Sequence, residues 1–343
     1  MLRASLALIV ACLCSQSCRH DPAADPTTPP VDQADAGRPD AESEPERTVP
    51  LAKDGWWRSA VFYEIFVRSF KDSDGDGIGD FEGLTNMLDY LNDGNPETTS
   101  DLGVDALWLM PIQASPSYHG YDVTDYKAVN SDYGDIADFD RMIAEAHRRG
   151  IKVIIDFVLN HSSSQHPWFR QARSPGSKFR DYYTWRDEPD TRWRRPWDGA
   201  NVWHSSPTGY YYGIFWSGMP DLNLANAEVE ANMIDAMRFW LERGVDGFRV
   251  DAARYLMQTD DGKLADVPQT HDFIKKIRRE FADYPDAVWV AEAWTDVARV
   301  ANYYGDRGDE FSLAFSFDVA GAIKSSVNDG NRATLNQTLE LSS

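Results

Sequence analysis

Cysteine is nearly absent from this 343-residue sequence, and long apolar runs and positive charge are also scarce. The three cysteines lie within the first 18 residues, so the rest of the chain has no thiol for a disulfide framework, a thiolate metal site or a cysteine nucleophile. The only strongly apolar run, residues 4–14, is too short to span a bilayer, which excludes a multi-span membrane protein. The 34 Lys and Arg against 55 Asp and Glu give a net charge of −21, which argues against a nucleic-acid-binding protein.

Residues 1–18 have the features of an export signal. Arg3 precedes the short apolar run, as in the charged start of a secretory leader. Ile-Val-Ala-Cys (9–12) is similar to a bacterial lipobox, whose cysteine is lipidated, and Cys18 is a second candidate. An ordinary cleaved signal with incidental cysteines is the alternative. We therefore predict an exported protein, either periplasmic, at the cell surface or secreted, that meets the membrane only through such a lipid anchor.

Residues 19–52 are rich in Pro, Asp, Glu and Ala and have almost no large apolar side chains. Between His20 and Pro50 there are eight acidic residues and two basic ones, Arg38 and Arg47. This segment therefore contributes six units of the net negative charge. Such a composition cannot bury enough surface to offset the entropy of ordering the chain. The segment is therefore predicted to be a disordered linker.

From residue 53 onward, short apolar runs alternate with amphipathic segments. Six runs predict strands: residues 61–67, 104–110, 152–158, 246–251, 287–292 and 311–317. Residues 135–149, followed by Gly150, have helical periodicity, and a second stripe of that kind ends at Gly244. Alternating strands and helices predict parallel strands joined by crossover helices. The pattern favours a (β/α)8 TIM barrel over a nucleotide-binding sheet, because no Gly-x-Gly-x-x-Gly follows the first strand.

Three of the predicted strands end in an acid: Asp156, Asp251 and Glu292. A lone acid at a strand end is commonly a cap, but in a parallel barrel these three positions converge on one rim. Arg249, on the same side of its strand as Asp251, should lower the pKa of that acid and keep it ionised as a nucleophile. Apolar neighbours should raise the pKa of Glu292, which suits a general acid. Paired carboxylates about 5 Å apart make a retaining glycosidase, and roughly 6.5–9.5 Å an inverting one.

Residues 161–224 interrupt the alternation and predict an inserted domain after the third strand, between barrel segments 53–160 and 225–343. The insertion holds six of the twelve tryptophans of the chain: Trp168, Trp185, Trp193, Trp197, Trp203 and Trp216. A long excursion at the carboxyl end of a barrel strand is where active-site walls are built. The aromatic side chains suit the apolar faces of sugar rings and equally suit the core of a small subdomain, and both interpretations stay open.

Four sequence runs resemble signatures of the α-amylase family of glycoside hydrolases. Asp-Phe-Val-Leu-Asn-His (156–161), Gly-Phe-Arg-Val-Asp (247–251) and Glu-Ala-Trp (292–294) are similar to its first three signature regions. Met-Pro-Asp-Leu-Asn (219–223) resembles the signature of a group intermediate between oligo-1,6-glucosidase-like and neopullulanase-like members. The resemblance implies that Asp251 is the nucleophile and Glu292 the general acid/base. It also places four residues around the sugar at the cleavage site: His119, Tyr121, His161 and Arg249.

The range of substrates is less sharply indicated. Tyr-His-Gly-Tyr (118–121) looks like the endo-acting amylases, whereas Arg254 and Tyr255 replace a Lys-His pair familiar from many of them. We predict a monomeric enzyme that cleaves α-1,4-glucosidic bonds of starch or maltodextrins with retention. The alternatives are an α-glucosidase or oligo-1,6-glucosidase, a glucan transglycosylase, and a glucan-binding protein without catalysis.

Residues 72–80 have oxygen-bearing side chains at alternate positions, separated by glycines, which is typical of a loop that binds a hard cation. The loop is not an EF-hand, because its twelfth position is Gly83. The family resemblance supports Ca²⁺, and an acidic turn without metal is the alternative. The predicted ligands are the side chains of Asp72, Asp74, Asp76 and Asp80 and the carbonyl of Ile78. A second calcium site using Asn160 and Asp221 is a further hypothesis.

Six strands are recognisable, whereas a (β/α)8 barrel has eight. The fourth signature of the family, a run similar to Asn-His-Asp, does not follow Glu292, and His271-Asp272 stands at the start of a predicted helix. These observations predict an incomplete barrel in a chain truncated at its carboxyl end. An unclosed sheet exposes its edges, so we expect this chain alone to be poorly stable and to have little or no amylase activity.

Overall fold

The computed structural model describes residues 55–330 and 332–341. The predicted leader (residues 1–18), its candidate lipidated cysteines and the predicted linker (residues 19–52) lie outside the described residues. None of the helices in the described ranges is long and apolar enough to cross a membrane.

Six parallel strands form the main sheet of the described chain. All strands, in chain order, are β1 Phe62–Ile65, β2 Ala106–Leu109, β3 Gln113–Ala114, β4 Asp125–Val129, β5 Lys152–Phe157, β6 Trp185–Arg186, β7 Trp203–Ser206, β8 Gly209–Tyr212, β9 Gly247–Val250, β10 Val288–Ala291 and β11 Leu313–Ala314. The main sheet has the order β1-β2-β5-β9-β10-β11, and every neighbouring pair is parallel. Because sheet order equals chain order, this is a half-barrel, and the predicted incomplete TIM barrel is confirmed.

Helices separate the strands of this sheet. The α-helices are α1 Val67–Phe70, α2 Phe81–Asn86, α3 Leu88–Leu91, α4 Ile136–Arg148, α5 Pro167–Ala172, α6 Ala227–Glu242, α7 Pro268–Glu280, α8 Val297–Val300, α9 Phe317–Asp329 and α10 Arg332–Leu341. Short 3-10 helices span Trp56–Arg58, Ser131–Tyr133, Arg180–Tyr182, Ala253–Tyr255 and Ala301–Tyr304. Asp135 begins α4 by accepting two backbone N–H groups in a capping box. Gly150 follows this helix with φ +77°, which confirms the predicted termination.

Successive side chains of a strand point to opposite faces of the sheet. Both faces of the main sheet are buried, each in its own hydrophobic cluster. The larger core lies between the sheet and the outer helices, where Trp240 of α6 packs edge-on against Phe139 of α4. A smaller cluster contains Trp108, Ile154 and Phe315 together with the alternate positions of β10. This packing fixes the strand ends, and with them the rim that the next section describes.

The inserted segment forms a separate antiparallel sheet with the order β6-β8-β7. Trp193 and Trp203 are buried in its own core with Tyr212. Trp197 and Trp216 are instead 37% and 51% exposed. The core interpretation is therefore confirmed for Trp193 and Trp203, and contact of the exposed tryptophans with a sugar stays a prediction.

Candidate active site

A single guanidinium stands at the rim formed by the carboxyl ends of three neighbouring strands. Arg249 of β9 places Nη1 2.7 Å from Asp156 Oδ1 in β5 and 2.7 Å from Asp251 Oδ1. Its Nη2 lies 2.9 Å from Glu292 Oε2. Asp251 and Glu292 directly follow β9 and β10, which pair in parallel. The structure thus brings together the two acids predicted to be catalytic, with Arg249 between them.

The three carboxylates differ in their access to solvent. The Asp156 side chain is completely buried, whereas the side chains of Asp251 and Glu292 keep 11% and 20% of their surface exposed. A group that reacts with a ligand must be reachable from the rim. Access therefore distinguishes Asp251 and Glu292, which can touch a ligand, from Asp156, which acts through its charge and its hydrogen bonds.

Burial controls the pKa values of this cluster. Burial raises the pKa of Glu292 to about 7, although Arg249 opposes the shift. This direction agrees with the sequence-based expectation for a general acid. Burial also raises the pKa of Asp251 to about 6 and outweighs the nearby guanidinium. The predicted lowering of the Asp251 pKa was therefore wrong, because the charge of one shared arginine cannot offset the loss of water around three carboxylates.

The two rim acids also influence each other's protonation. Beyond the effect of burial, the negative charge of Asp251 raises the pKa of Glu292. Two carboxyl groups held by the same guanidinium cannot both ionise easily, because their like charges lie close together. The pair thus divides into a more acidic member, Asp251, and a less acidic one, Glu292.

Tyr121 and His119 lie beside this cluster. The Tyr121 hydroxyl donates to Asp156 Oδ2 over 3.1 Å, and its ring lies under the Arg249 guanidinium. The Tyr121 backbone N–H donates to His119 Nδ1 over 3.1 Å, and the two rings stack with centroids 6.0 Å apart. Because Nδ1 accepts that bond, the proton of neutral His119 resides on Nε2, which is then a donor.

His161 is buried at the junction with the inserted segment. Burial lowers the pKa of His161 to about 3, so the ring is neutral at ordinary pH. Its Nε2 atom is buried and has no hydrogen-bond partner within the described part of the chain. Phe215 packs edge-on against the imidazole with ring centroids 5.2 Å apart. Buried polar atoms of native proteins are normally paired, so a ligand hydroxyl would complete the environment of His161.

Sequence reasoning did not assign a role to Asp156 or Trp108. Asp156 was recognised as an acid at a strand end, but its full burial depends on the packing of neighbouring strands. The Trp108 ring lies under the Arg249 guanidinium at 5.4 Å. The position of Trp108 in β2 does not predict this contact, because Trp108 is one of several apolar side chains in a buried strand. His271, by contrast, lies in α7 and pairs with Glu310, 2.8 Å away, outside the rim cluster.

Arg254 holds two rim loops together. Its Nε donates to Asp266 Oδ1 over 2.9 Å, and its other nitrogens contact Asp266 Oδ2 and the Trp294 carbonyl. The neighbouring Tyr255 packs against Trp197, with ring centroids 5.5 Å apart. Arg254 is therefore engaged with the protein itself, unlike a side chain that is free to reach a ligand.

The acidic loop preceding α2 brings three carboxylates together. Oxygen atoms of Asp72, Asp74 and Asp80 all lie within 4.8 Å of one another. Asp76 is not in this group, and its carboxylate accepts the Ile78 N–H over 2.7 Å. The convergent donors are all carboxylate oxygens, which is the donor chemistry that Ca²⁺ prefers.

The proposed second cation pair is satisfied by the protein itself. Asn160 Nδ2 donates to Asp221 Oδ2 over 3.0 Å, and the Ile214 N–H donates to Asp221 Oδ1 over 2.9 Å. Burial raises the pKa of Asp221 to about 7. The amide of Asn160 thus turns a donor, not an oxygen ligand, toward the carboxyl group of Asp221.

Residues 64–341 match the family described as the catalytic domain of alpha amylase. The chain belongs to the α-amylase family. Alpha-amylase 3 of Dictyoglomus thermophilum is 42% identical over 269 residues, which cover 78% of this chain and 50% of that protein. The trehalose synthase/amylase TreS of Mycolicibacterium smegmatis is 40% identical over 305 residues, covering 85% of this chain and 50% of that protein.

Solved structures agree with this membership. The crystal structure of alpha-amylase from H. orenii superposes with a TM-score of 0.76 at 46% identity, covering 82% of this chain and 57% of that one. The chain spans about half the length of the α-amylase-family relatives that it matches. The names of its relatives include both alpha-amylases and trehalose synthases.

Proposed function

We propose that this protein cleaves α-1,4-glucosidic bonds of starch or maltodextrins with retention of configuration. The observation that carries the proposal is that one guanidinium, that of Arg249, contacts the carboxyl groups of both Asp251 and Glu292 at an accessible rim. Retaining enzymes hold their two carboxyl groups about 5 Å apart, whereas inverting enzymes leave room for a water molecule between them. Two carboxyl groups that contact the same guanidinium are held close together, which favours the retaining arrangement.

In the first step, Asp251 attacks the anomeric carbon while Glu292 protonates the leaving glycosidic oxygen. A pKa of about 7 leaves about half of the Glu292 carboxyl protonated at neutral pH, and a pKa of about 6 leaves most Asp251 ionised. The bond from carbon to the leaving oxygen breaks, and a covalent glucosyl ester forms on Asp251. In the second step, Glu292 takes a proton from water, which displaces the ester and frees the nucleophile.

Two observations support an endo-acting α-amylase. Tyr118 is 68% exposed and packs against Phe66 at 5.2 Å, at the position where exo-acting family members tend to carry an acid. Alpha-amylase 3 of Dictyoglomus thermophilum and the H. orenii enzyme are both named alpha-amylases. A glucan transglycosylase is the second candidate, and the similarity to TreS favours it, because water and a sugar hydroxyl compete for the same ester.

Incubation of maltoheptaose with a chain extended to the length of its relatives, with product anomers followed by proton NMR, tests the proposal, because this chain alone is expected to have little or no activity. We expect α-anomers to appear first, with internal cleavage products. Asp251→Asn and Glu292→Gln should each lower the rate by about 10²–10⁴-fold or more. Glu97→Gln, an exposed surface change, is the matched control. Trehalose formed from maltose would instead identify a transglycosylase.

A trapping experiment decides between an enzyme and a binding protein even where turnover is low. A fluorinated glucosyl fluoride should add one glucosyl unit to the chain, detectable by intact mass, and peptide mapping should locate it on Asp251. The adduct should be absent from Asp251→Asn. Saturable maltooligosaccharide binding without adduct or turnover would contradict the proposed enzyme and support a glucan-binding protein.

We also propose that Asp72, Asp74, Asp76 and Asp80, with the carbonyl of Ile78, hold Ca²⁺. The convergence of three of these carboxylates supports a hard cation, which would stabilise the loop before α2 and take no part in bond cleavage. A Ca²⁺ concentration 100-fold above its dissociation constant should raise the free energy of unfolding by about 2.7 kcal/mol. Asp74→Asn should abolish this gain and Glu97→Gln should keep it.

We propose export, as a lipoprotein or as a secreted protein, from the leader alone. The monomeric state is a separate proposal. Expression in a bacterial host with radiolabelled palmitate should label the parent chain. Cys12→Ser should lose the label, whereas Cys18→Ser should keep it. Size-exclusion chromatography with light scattering would test the monomeric state.

A further inference from the structure

The residue after the proposed nucleophile has an unusual backbone conformation. Ala252 has φ +53° and ψ +36°, in the left-handed region. Within the described ranges, Asp266 is the one other non-glycine residue with positive φ. For an L-residue this conformation is unfavourable because Cβ approaches the carbonyl oxygen, and it persists only where the surroundings enforce it. Strain of this kind next to reacting groups points to a positioning task.

The strained conformation turns two backbone N–H groups toward the proposed acid. The Ala252 N–H donates to Glu292 Oε2 over 2.9 Å. The next N–H, of Ala253, donates to the Glu292 carbonyl oxygen over 3.1 Å. Two backbone N–H groups of the loop after β9 therefore bind Glu292, the residue that follows β10, one at its side chain and one at its carbonyl oxygen. The Ala252 side chain is 3% exposed, so the segment has little space to relax.

These bonds determine which oxygen of each acid stays free. Glu292 Oε2 receives both the Ala252 N–H and the Arg249 charge. Asp251 Oδ1 receives the Arg249 Nη1 donor. In the described part of the chain, no nitrogen donor contacts Glu292 Oε1 or Asp251 Oδ2. The held oxygens fix the two carboxyl planes, and the free oxygens are the ones that remain to react.

We propose that Ala252 is a positioning residue whose left-handed backbone aims its N–H at Glu292 Oε2 and thereby reserves Oε1 for proton transfer. The role of Oε1 in proton transfer rests on the proposed function. The hydrogen bond from the Ala252 N–H to Oε2 does not, since it concerns only the geometry of Glu292. The two parts can therefore be tested apart.

The readout is the charge state of Glu292. Carbon NMR of ¹³C-labelled glutamate carboxyl groups in the full chain measures it, and Glu292→Gln assigns the signal. The N–H donor favours the ionised carboxylate, so its removal should raise the pKa of Glu292. The other groups whose charges act on this carboxyl or are acted on by it are Arg249, Asp251, Asp156, Tyr121 and Tyr255.

An amide-to-ester change, Ala252→lactic acid, deletes only the N–H donor. We expect it to raise the Glu292 pKa by about one unit. Ala252→Gly keeps the N–H and suits positive φ, so it should leave that pKa in place. Valine disfavours positive φ, so Ala252→Val should raise the Glu292 pKa as the ester does. Ala252→Val is the second variant, to be used if the ester chain does not fold. An unmoved pKa in the folded ester or valine chain would overturn the proposal.

Activity is then measured separately on maltoheptaose. If the Glu292 pKa shifts as expected while no glucosidic bond is cleaved even by a chain extended to the length of its relatives, the positioning role stands and the proposed function fails. If the parent cleaves the substrate and the ester leaves the Glu292 pKa unchanged, the proposed function stands and the role of Ala252 fails.

Discussion

Asp156→Asn should make the stability of the protein less dependent on pH. Asp156 is fully buried, and burial raises its pKa from an ordinary value of 3.8 to about 6, against the opposing effect of Arg249. A shift of about two units corresponds to about 3 kcal/mol. The folded chain therefore holds this proton more tightly than the unfolded chain does.

The sign of the effect follows from this difference in proton affinity. The stabilisation from protonated Asp156 is fully present below pH about 4 and is lost as the pH rises through about 6. Asparagine does not titrate, so Asp156→Asn avoids that loss. The unfolding free energy of the variant minus that of the parent should increase by about 3 kcal/mol between pH 4 and pH 7. Any fixed change in hydrogen bonding cancels in this comparison.

Urea unfolding at pH 4, 5, 6 and 7 measures the difference directly. Asp246→Asn is the matched control at the opposite end of the sheet. Burial would raise the pKa of Asp246, but bonds from His147, Lys152 and the Val153 N–H outweigh it and lower that pKa. Its stabilisation is present above pH about 4, so Asp246→Asn should lose stability at neutral pH. A pH-independent difference for Asp156→Asn would refute the reasoning.

Four further substitutions test local features of the fold by urea unfolding. Gly247→Ala would place Cβ 1.9 Å from the Val288 carbonyl oxygen, so we expect a loss of more than about 4 kcal/mol. Gly321→Ala, in a helix with open space around it, should instead gain about 1 kcal/mol. Arg254→Ala should lose about 2 kcal/mol with its charged hydrogen bonds. Asp135→Ala should lose about 1 kcal/mol with its helix cap. An unchanged unfolding midpoint would contradict each expected loss.

The strands and the rim were predictable because their causes are local or follow from topology. β5, β9 and β10 are short apolar runs, and parallel strands bring the acids that end them to one edge whatever the details of packing. The termination of α4 at Gly150 depends on one glycine with positive φ. These features need no knowledge of which distant side chains meet.

Other properties depend on contacts that no local pattern encodes. The net pKa shift of Asp251 required knowing that one guanidinium serves three carboxylates in a dry environment. The separation of the buried Trp193 from the exposed Trp197 depends on how the inserted sheet folds over itself. The left-handed backbone of Ala252 has no signature in its sequence, because alanine is ordinary on either side of a strand end.

The charge balance of the rim links stability to the proposed reaction. Asp156, Asp251 and Glu292 share the single positive charge of Arg249, so the cluster has two negative charges in excess when all three acids ionise. Burial, followed by the mutual repulsion of these acids, raises the pKa values, and the ionised cluster destabilises the folded chain at neutral pH. Cleavage of a glucosidic bond passes through an oxocarbenium-like state, in which positive charge develops on the sugar. A fixed negative environment stabilises that state and not the neutral substrate, which is the condition for lowering a barrier. The same buried Asp156 charge is thus unfavourable for folding and favourable for the proposed chemistry.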